Sequence, residues 1–168
     1  MTPEVRPMHP DDIEPLRAIL NDIIAAGGTT AHERPFTTEQ FGAAYYHGPN
    51  HAAGFTVLDA KGRPAGFQHL GRDPNLPTGW LSVGTFTRRS PRVPGAGRAL
   101  FAASRAWCEA EGIEAIDATI RADNTGGLAF YSSMGFQDYR VYPGVPLRDG
   151  TPVDRIAKVF RLGDPENA

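Results

Sequence analysis

Residues 90–112 read SPRVPGAGRALFAASRAWCEAEG, a turn with two glycines set directly in front of a strongly helical run. The first turn of a helix leaves backbone N–H groups without partners and carries the positive end of the macrodipole. Glycines beside it let the main chain approach a bound anion, so the stretch predicts a phosphate-holding turn. Two well-known phosphate loops are excluded by spacing. A dinucleotide fingerprint needs a third glycine where Leu100 stands, and a P-loop needs Gly-Lys-Ser or Gly-Lys-Thr where the chain reads Gly97, Arg98, Ala99. What remains is Arg92, two residues, Gly95, one residue, Gly97. In the helix that follows, Leu100, Ala103, Trp107 and Ala110 fall on one stripe, Arg98, Arg105 and Glu109 lie off it, and Gly112 is the stop.

Working outward, EVRPM near the N-terminus reads as an edge strand. A helix follows, with Asp11 or Asp12 placed to cap it and Ile13, Leu16, Ile19, Leu20, Ile23 and Ile24 at helical spacing until Gly27 and Gly28. TTEQFGAAYYHG predicts a second, short helix capped by threonine. The loop between them, GGTTAHERPFT, holds His and Glu without a packing reason, which marks it as a functional segment. GFTVLD and PAGFQHLGR, joined by AKGR, predict an antiparallel hairpin, and GWLSVGTFT a third strand. After the quoted turn and helix come a strand (EAIDATI), a helix (NTGGLAFYSSMG) and two strands (FQDYRVY and DRIAKVFRL). The order β α α β β β α β α β β predicts an α/β fold of the α+β kind, one mixed sheet with helices on its faces.

Length and charge narrow the function. A chain of 168 residues, 40% hydrophobic and 21% charged, is sized for one core, so residues 1–168 are expected to form a single domain. A net charge of -2 removes any global electrostatic reason to bind nucleic acid or an anionic membrane. No stretch approaches the ~18 apolar residues that a bilayer span needs, and the N-terminus lacks a signal-peptide core. The lone Cys108 cannot form an internal disulfide and is expected to pack as a small hydrophobe, in keeping with a reducing cytoplasm. No metal is expected: Gly48 and Pro49 break the helix that would align His47 with His51, and there is no cysteine pair for zinc.

The turn Arg92–Gly97 resembles the signature of the GNAT superfamily of acyl-CoA N-acyltransferases: Gln or Arg, two residues, Gly, one residue, then Gly or Ala. A second family signature begins 27 residues after Gly97, in NTGGLAFYSSMGF, where Asn124, Tyr131, Gly135 and Phe136 stand in the expected places. The likeness in motif and element order covers roughly residues 4–162. GGTTAHERPFTTEQF further resembles the phosphinothricin acetyltransferase branch, which often acetylates amino-acid-like amines.

The resemblance implies a mostly antiparallel central sheet flanked by helices, acetyl-CoA as co-substrate, and acetyl transfer to the primary amine of a small molecule such as an amino acid or amine-like xenobiotic. A protein or peptide acceptor, or a coenzyme-binding module without turnover, is the alternative. An acceptor groove closed by residues 27–38 would argue against the peptide. The resemblance places the diphosphate on main-chain amides from Val93 through Gly95, Ala96 and Gly97 to Arg98, with charge from Arg92 and Arg98. It lays the pantetheine arm along main-chain groups near Phe86 and Thr87. The RRSPR segment, with Arg88, Arg89 and Arg92, reads either as a seat for the ribose phosphate or as a solvated turn. Tyr131 is the implied general acid for the departing thiolate. Asn124 either contacts the coenzyme or simply caps its helix. Many relatives carry a glutamate base on the strand before the turn, whereas here Ser82 or Gly84 occupies that place. Glu33 in the first loop and His69 on the hairpin are then the candidate bases. Relatives commonly form dimers, and the closing strands offer a surface for one.

Overall fold

The computed structural model describes residues 1–164. Apolar and β-branched residues at alternate positions build three consecutive antiparallel strands after the short β1 (Val5–Pro7): β2 (His51–Leu58), β3 (Pro64–Gly71) and β4 (Trp80–Thr87). The chain crosses over through α3 (Ala96–Ala110) to β5 (Ala115–Arg121), which lies parallel to β4. Helix α4 (Thr125–Ser133) leads into the hairpin β6 (Gln137–Pro146) and β7 (Pro152–Arg161). The result is a seven-stranded sheet in the order β1-β2-β3-β4-β5-β7-β6, antiparallel at every junction but one. Among the described residues no helix is long and apolar enough to cross a membrane.

Two cores lie on opposite faces of the sheet. On one, Leu16, Leu20 and Ile24 of α1 (Ile13–Ala26) and Phe41 and Tyr45 of α2 (Thr38–Tyr45) pack on Phe67. On the other, Leu100, Phe101 and Cys108 of α3 meet Phe55, Val57, Leu81, Ile116 and Ile120, with Tyr131 of α4 and Phe136 beside them. The inward stripe of α3 is rotated from the one expected. Leu100 belongs to it, but Phe101, Ser104 and Cys108 are the buried residues, Ala103 and Trp107 are only half-buried and Ala110 is exposed. Phe101 turns its ring towards Phe136 and Phe160, at ring separations of 5.3 and 5.2 Å.

The caps also differ in detail from the expectation. Thr37 caps α2 through a reciprocal pair of bonds with Gln40, Gln40 N–H to Thr37 Oγ1 (3.1 Å) and Thr37 N–H to Gln40 Oε1 (3.0 Å). Asp12 does not cap α1. Its carboxylate is buried, accepts from the His9 N–H (2.8 Å) and the Thr56 hydroxyl (2.8 Å), and pairs with both terminal nitrogens of Arg6 (2.7 and 2.9 Å). This cluster fastens the N-terminal strand and α1 to β2. Burial alone would raise the Asp12 pKa, but the Arg6, His9 and Thr56 bonds together hold it below the usual value of 3.8.

A depressed carboxylate contributes stability that is present above its unfolded pKa and is lost as pH falls through the folded one. We expect Asp12→Ala to cost about 3 kcal/mol in urea unfolding at pH 7, because it strands the Arg6 charge and two hydrogen-bond donors. The wild-type advantage should shrink below about pH 4, where Asp12 begins to protonate in the unfolded chain.

Candidate active site

The centre of the sheet is open where it should be closed. β4 is the fourth of seven strands, yet from Ser82 to Thr87 it is only half-buried, while β3 beside it is almost wholly covered. Register explains this: β4 pairs with β5 only at Trp80, Leu81 and Ser82, the last pair being Ser82↔Asp117, and beyond that the two strands part. On its other side β4 stays zipped to β3 as far as Thr87. Because Arg88 N–H bonds Ala65 O (2.8 Å), the alternation of an antiparallel ladder turns the main-chain groups of Phe86 and Gly84 towards β3. Those of Thr85 and Thr87 therefore face the gap. Thr87 thus presents its main chain where the sequence expects it. Phe86 instead bonds β3, and its ring stacks on Phe67 at 5.0 Å.

The glycine turn sits at the mouth of this gap, at the end of β4. Gly95 precedes α3 with φ +76°, a left-handed conformation that an L side chain adopts only under strain. Val93 and Ala96 anchor the turn in the core, and Ala96 N–H closes on Val93 O at 3.2 Å. Among the described residues the Gly97 and Arg98 N–H groups have no main-chain acceptor, and Arg92 and Arg98 have no ion-pair partner. Gly97 has a different reason to be glycine from Gly95: a Cβ there would lie 2.7 Å from the Phe130 ring of α4. Arg88 is committed elsewhere, to Asp59 (3.2 Å) and to Pro91 O (2.9 Å), and Arg89 lies 4.0 Å from Asp22. Of the RRSPR arginines, Arg92 alone keeps its charge uncommitted.

Tyr131 lies across the gap from the turn. Its side chain is buried, and its phenol is 2.8 Å from the Thr85 hydroxyl, which in turn accepts from Gln68 Nε2 at 2.8 Å. If Thr85 passes its single proton to Tyr131, the phenol hydrogen is left to point into the gap. Gln68 Oε1 is buried and has no partner among the described residues. Burial pushes the Tyr131 pKa up to about 12, against the Thr85 bond, which lowers it; the Asp117 charge adds to the rise. The phenol is therefore protonated at neutral pH.

On the opposite face, His69 stands directly across from Gly84, where a strand carboxylate is missing. It is buried, 3.1 Å from His51 Nδ1 and 5.1 Å edge-on from the Tyr45 ring. Burial, reinforced by the His51 charge, lowers its pKa to about 4, so it is neutral at physiological pH. His32 of the first loop bonds the Tyr45 hydroxyl (2.6 Å) and lies 6.2 Å from the Phe86 ring. That loop is pinned at several points. Asn124 Nδ2 donates to Thr29 O (3.1 Å), Arg121 to Thr30 O (3.2 Å) and Asn21 Nδ2 to Phe36 O (2.9 Å). Glu33 accepts from Arg148 N–H at 2.8 Å, which joins the loop to the β6–β7 turn. Asn124 also caps α4 by accepting from Gly127 N–H (3.0 Å), so it has both a capping and a loop-holding role. Thr85 and Gln68 carry no signal in sequence, since either reads as an ordinary strand residue.

The fold has known counterparts. The sequence profile described as "Acetyltransferase (GNAT) family" matches residues 18–136, more than half of the chain. The chain belongs to the GNAT acetyltransferase family. Its fold superimposes on a GNAT phosphinothricin acetyltransferase from Sinorhizobium meliloti in complex with acetyl-CoA, with a TM-score of 0.82 and 19% identity over 98% of this chain and 90% of that one. A GCN5-related N-acetyltransferase from Kribbella flavida gives 0.81 at 23% identity, covering 95% and 97% of the two chains. The Salmonella typhimurium protein yncA, with its cofactor acetyl-CoA, gives 0.81 at 16%, covering 98% and 96%. No curated protein sequence matches the chain. In this GNAT protein the glycine turn and the tyrosine helix flank one parting of strands.

Because a Cβ at Gly95 would meet only an ordinary van der Waals contact, Pro3 Cδ at 3.7 Å, its replacement chiefly probes backbone conformation. We expect Gly95→Ala to cost about 1–2 kcal/mol in stability by thermal or urea unfolding, from left-handed strain. Gly112→Ala, at φ +72° and equally unobstructed but far from the turn, should cost a similar amount, and so serves as the control for any loss of ligand binding specific to Gly95.

Proposed function

We propose that this GNAT enzyme transfers the acetyl group of acetyl-CoA to the primary amine of a small molecule, with amino acids and amine-like xenobiotics the first class to test. The observation that carries the reading is the parting of β4 and β5, flanked by unbonded amides at the start of α3 on one side and the Tyr131 phenol on the other. The residues fit the coenzyme. Within the turn from Val93 to Arg98, Pro94 has no N–H and that of Ala96 is bonded to Val93 O, so the free N–H groups of Gly97 and Arg98 suit the diphosphate, and Arg92 and Arg98 bring unpaired charge. The gap-facing main chain of Thr85 and Thr87 suits the amide-rich pantetheine arm, and donors there would stabilise negative charge on the thioester oxygen. Acetyl-CoA, when bound, supplies an activated acyl carbon and a sulfur leaving group.

Tyr131 is then the proton donor to the departing sulfur. A phenol held protonated by burial and oriented by Thr85 is ready for that role at neutral pH. His69, neutral and beside Gly84, lines the acceptor face as a hydrogen-bonding group, and Glu33 acts by holding the first loop in place. The pinned loop favours a small acceptor over a peptide, because His32 and Phe36 lie over the same aromatic group as Phe86.

Thiol release measured over a panel of amines tests the reading. We expect saturable turnover with at least one small amine. Tyr131→Phe should lower kcat by about 100-fold or more, the ordinary contribution of a general acid, and leave acetyl-CoA affinity nearly unchanged. Release at background for every amine, with the coenzyme bound, would sink the small-amine reading; an unchanged kcat in Tyr131→Phe would remove the acid role.

A further inference from the structure

The reaction needs a place for the amine's proton, and the strand before the glycine turn offers no carboxylate. The structure holds two buried carboxylates, Asp12 and Asp117, among its described residues. Asp12 is neutralised by Arg6. Among the described residues Asp117 has no ion-pair partner. It sits on β5 at the Ser82↔Asp117 pair, the last before the strands part, so its side chain shares a face with Ser82 and, two residues on, with Gly84. Its two oxygens accept from hydroxyls: Oδ1 from Tyr139 of β6 at 2.6 Å, Oδ2 from Thr119 at 3.0 Å. Both of those residues are exposed, so a carboxylate with 5% exposure reaches solvent through two hydroxyl groups.

Resting on the small-amine reading, we propose that Asp117 is the proton acceptor of the acetyl transfer, taking the amine proton through the Thr119 hydroxyl. The steps balance. The amine nitrogen forms its bond to the acyl carbon as its proton moves to Thr119 Oγ1, and the Thr119 proton moves to Asp117 Oδ2. The carbon–sulfur bond breaks and the sulfur takes the Tyr131 proton. Solvent then returns a proton to Tyr131 and removes one from Asp117.

The electrostatic setting suits this task. The groups that bear on Asp117 are the Tyr139 phenol from β6, the Thr119 hydroxyl and the Asp73 charge from the β3–β4 loop, while β4 and β7 present Ser82 and Val159 at its register positions. Burial raises its pKa above 3.8, Asp73 adds to this, and the two hydroxyl bonds work against it. Its charge is also felt at the Tyr131 phenol, which ties it to the other side of the gap. Asp117 and Tyr131 thus form an acid–base pair at the point where the sheet opens.

Asp117→Asn keeps shape and removes the proton acceptor. In the active wild-type enzyme we expect kcat to fall on the acid side with an ionisation above the ordinary carboxylate range. Asp117→Asn should lower kcat by about 100-fold or more and flatten that limb, with acetyl-CoA affinity unchanged. A readout without turnover is available in the free protein: carbon-13 NMR titration should place the Asp117 carboxyl above the exposed aspartates. If Asp117→Asn does not fold, Thr119→Val, which spares the carboxylate, should still lower kcat by about tenfold or more. An active wild type whose rate and acid limb survive either folded variant overturns the assignment, as does an Asp117 carboxyl that titrates with the others. A wild type that binds acetyl-CoA and acetylates no amine overturns the small-amine reading and this assignment with it, a result that activity in the wild type excludes.

Discussion

Everything in the site depends on two neighbouring strands failing to stay paired. β4 and β5 share three register positions and then part, and main-chain groups in the middle of a sheet lose the partners that a ladder would give them. An unpaired buried amide or carbonyl is costly, about 1–3 kcal/mol each, so such a gap persists only where water or a ligand completes it. The geometry around it is consistent with that demand. β4 is held on its other side by six register pairs to β3, and β5 by seven to β7, so each strand is fixed firmly enough to part from its neighbour without losing its own course. Parallel pairing makes the opening possible: a parallel neighbour comes by a crossover, and the crossover helix α3 starts at the mouth of the gap. A helix start with unbonded N–H groups and an opened sheet are in this way one feature of connectivity.

Much of this was legible in the chain. The order of elements follows from a change of period, from helical spacing before residue 50 to alternation after it, and the two signature stretches locate the turn and the tyrosine helix. What could not be read is where pairing stops. No residue between Ser82 and Thr87 announces that β5 leaves β4 there, since a half-open strand and a buried one can share the same run of small and apolar residues. The α3 stripe was misjudged for a related reason. Leu100 and Ala103 fix a face only to within one residue, and the rotation that buries Phe101 and Cys108 goes with the ring partners of Phe101, Phe136 and Phe160, which come from distant segments. The prolines of β6 and β7, Pro146 opposite Pro152, read as loop, yet they end a hairpin whose turn is closed by Leu147 N–H to Thr151 O at 2.8 Å.

The glycines separate into kinds in a way that composition does not show. Gly95 is required by its own backbone, with no clash awaiting a side chain there, whereas Gly97 and Gly66 are required by their neighbours, the Phe130 ring and the Phe86 carbonyl. The Gly95–Gly97 pair therefore does two jobs at once: one residue shapes the turn and the other lets α3 lie against the helix that carries Tyr131. That contact sets how closely the glycine turn and the helix of the phenol approach, so a motif that looks like a binding loop is also a packing element.

The two buried aspartates show how stability and function divide the same residue type. Asp12, at 2% exposure, has a cation and two further donors, and its depressed pKa means that folding favours its charged form. Asp117, at 5%, has hydroxyls and no cation, and its raised pKa means the reverse. Linkage then gives the two groups opposite signs. Acid weakens the fold through Asp12, while a rise in pH through the Asp117 pKa weakens it by leaving a charge in a site that would sooner hold a proton. A chain selected for stability alone would gain by exchanging Asp117 for an uncharged residue of the same size, whereas no such exchange helps at Asp12 while Arg6 remains. The position of the uncompensated carboxylate, at the last paired residue before the opening and nowhere else in the buried core, is what makes its cost intelligible as the requirement of a reaction that must remove a proton there.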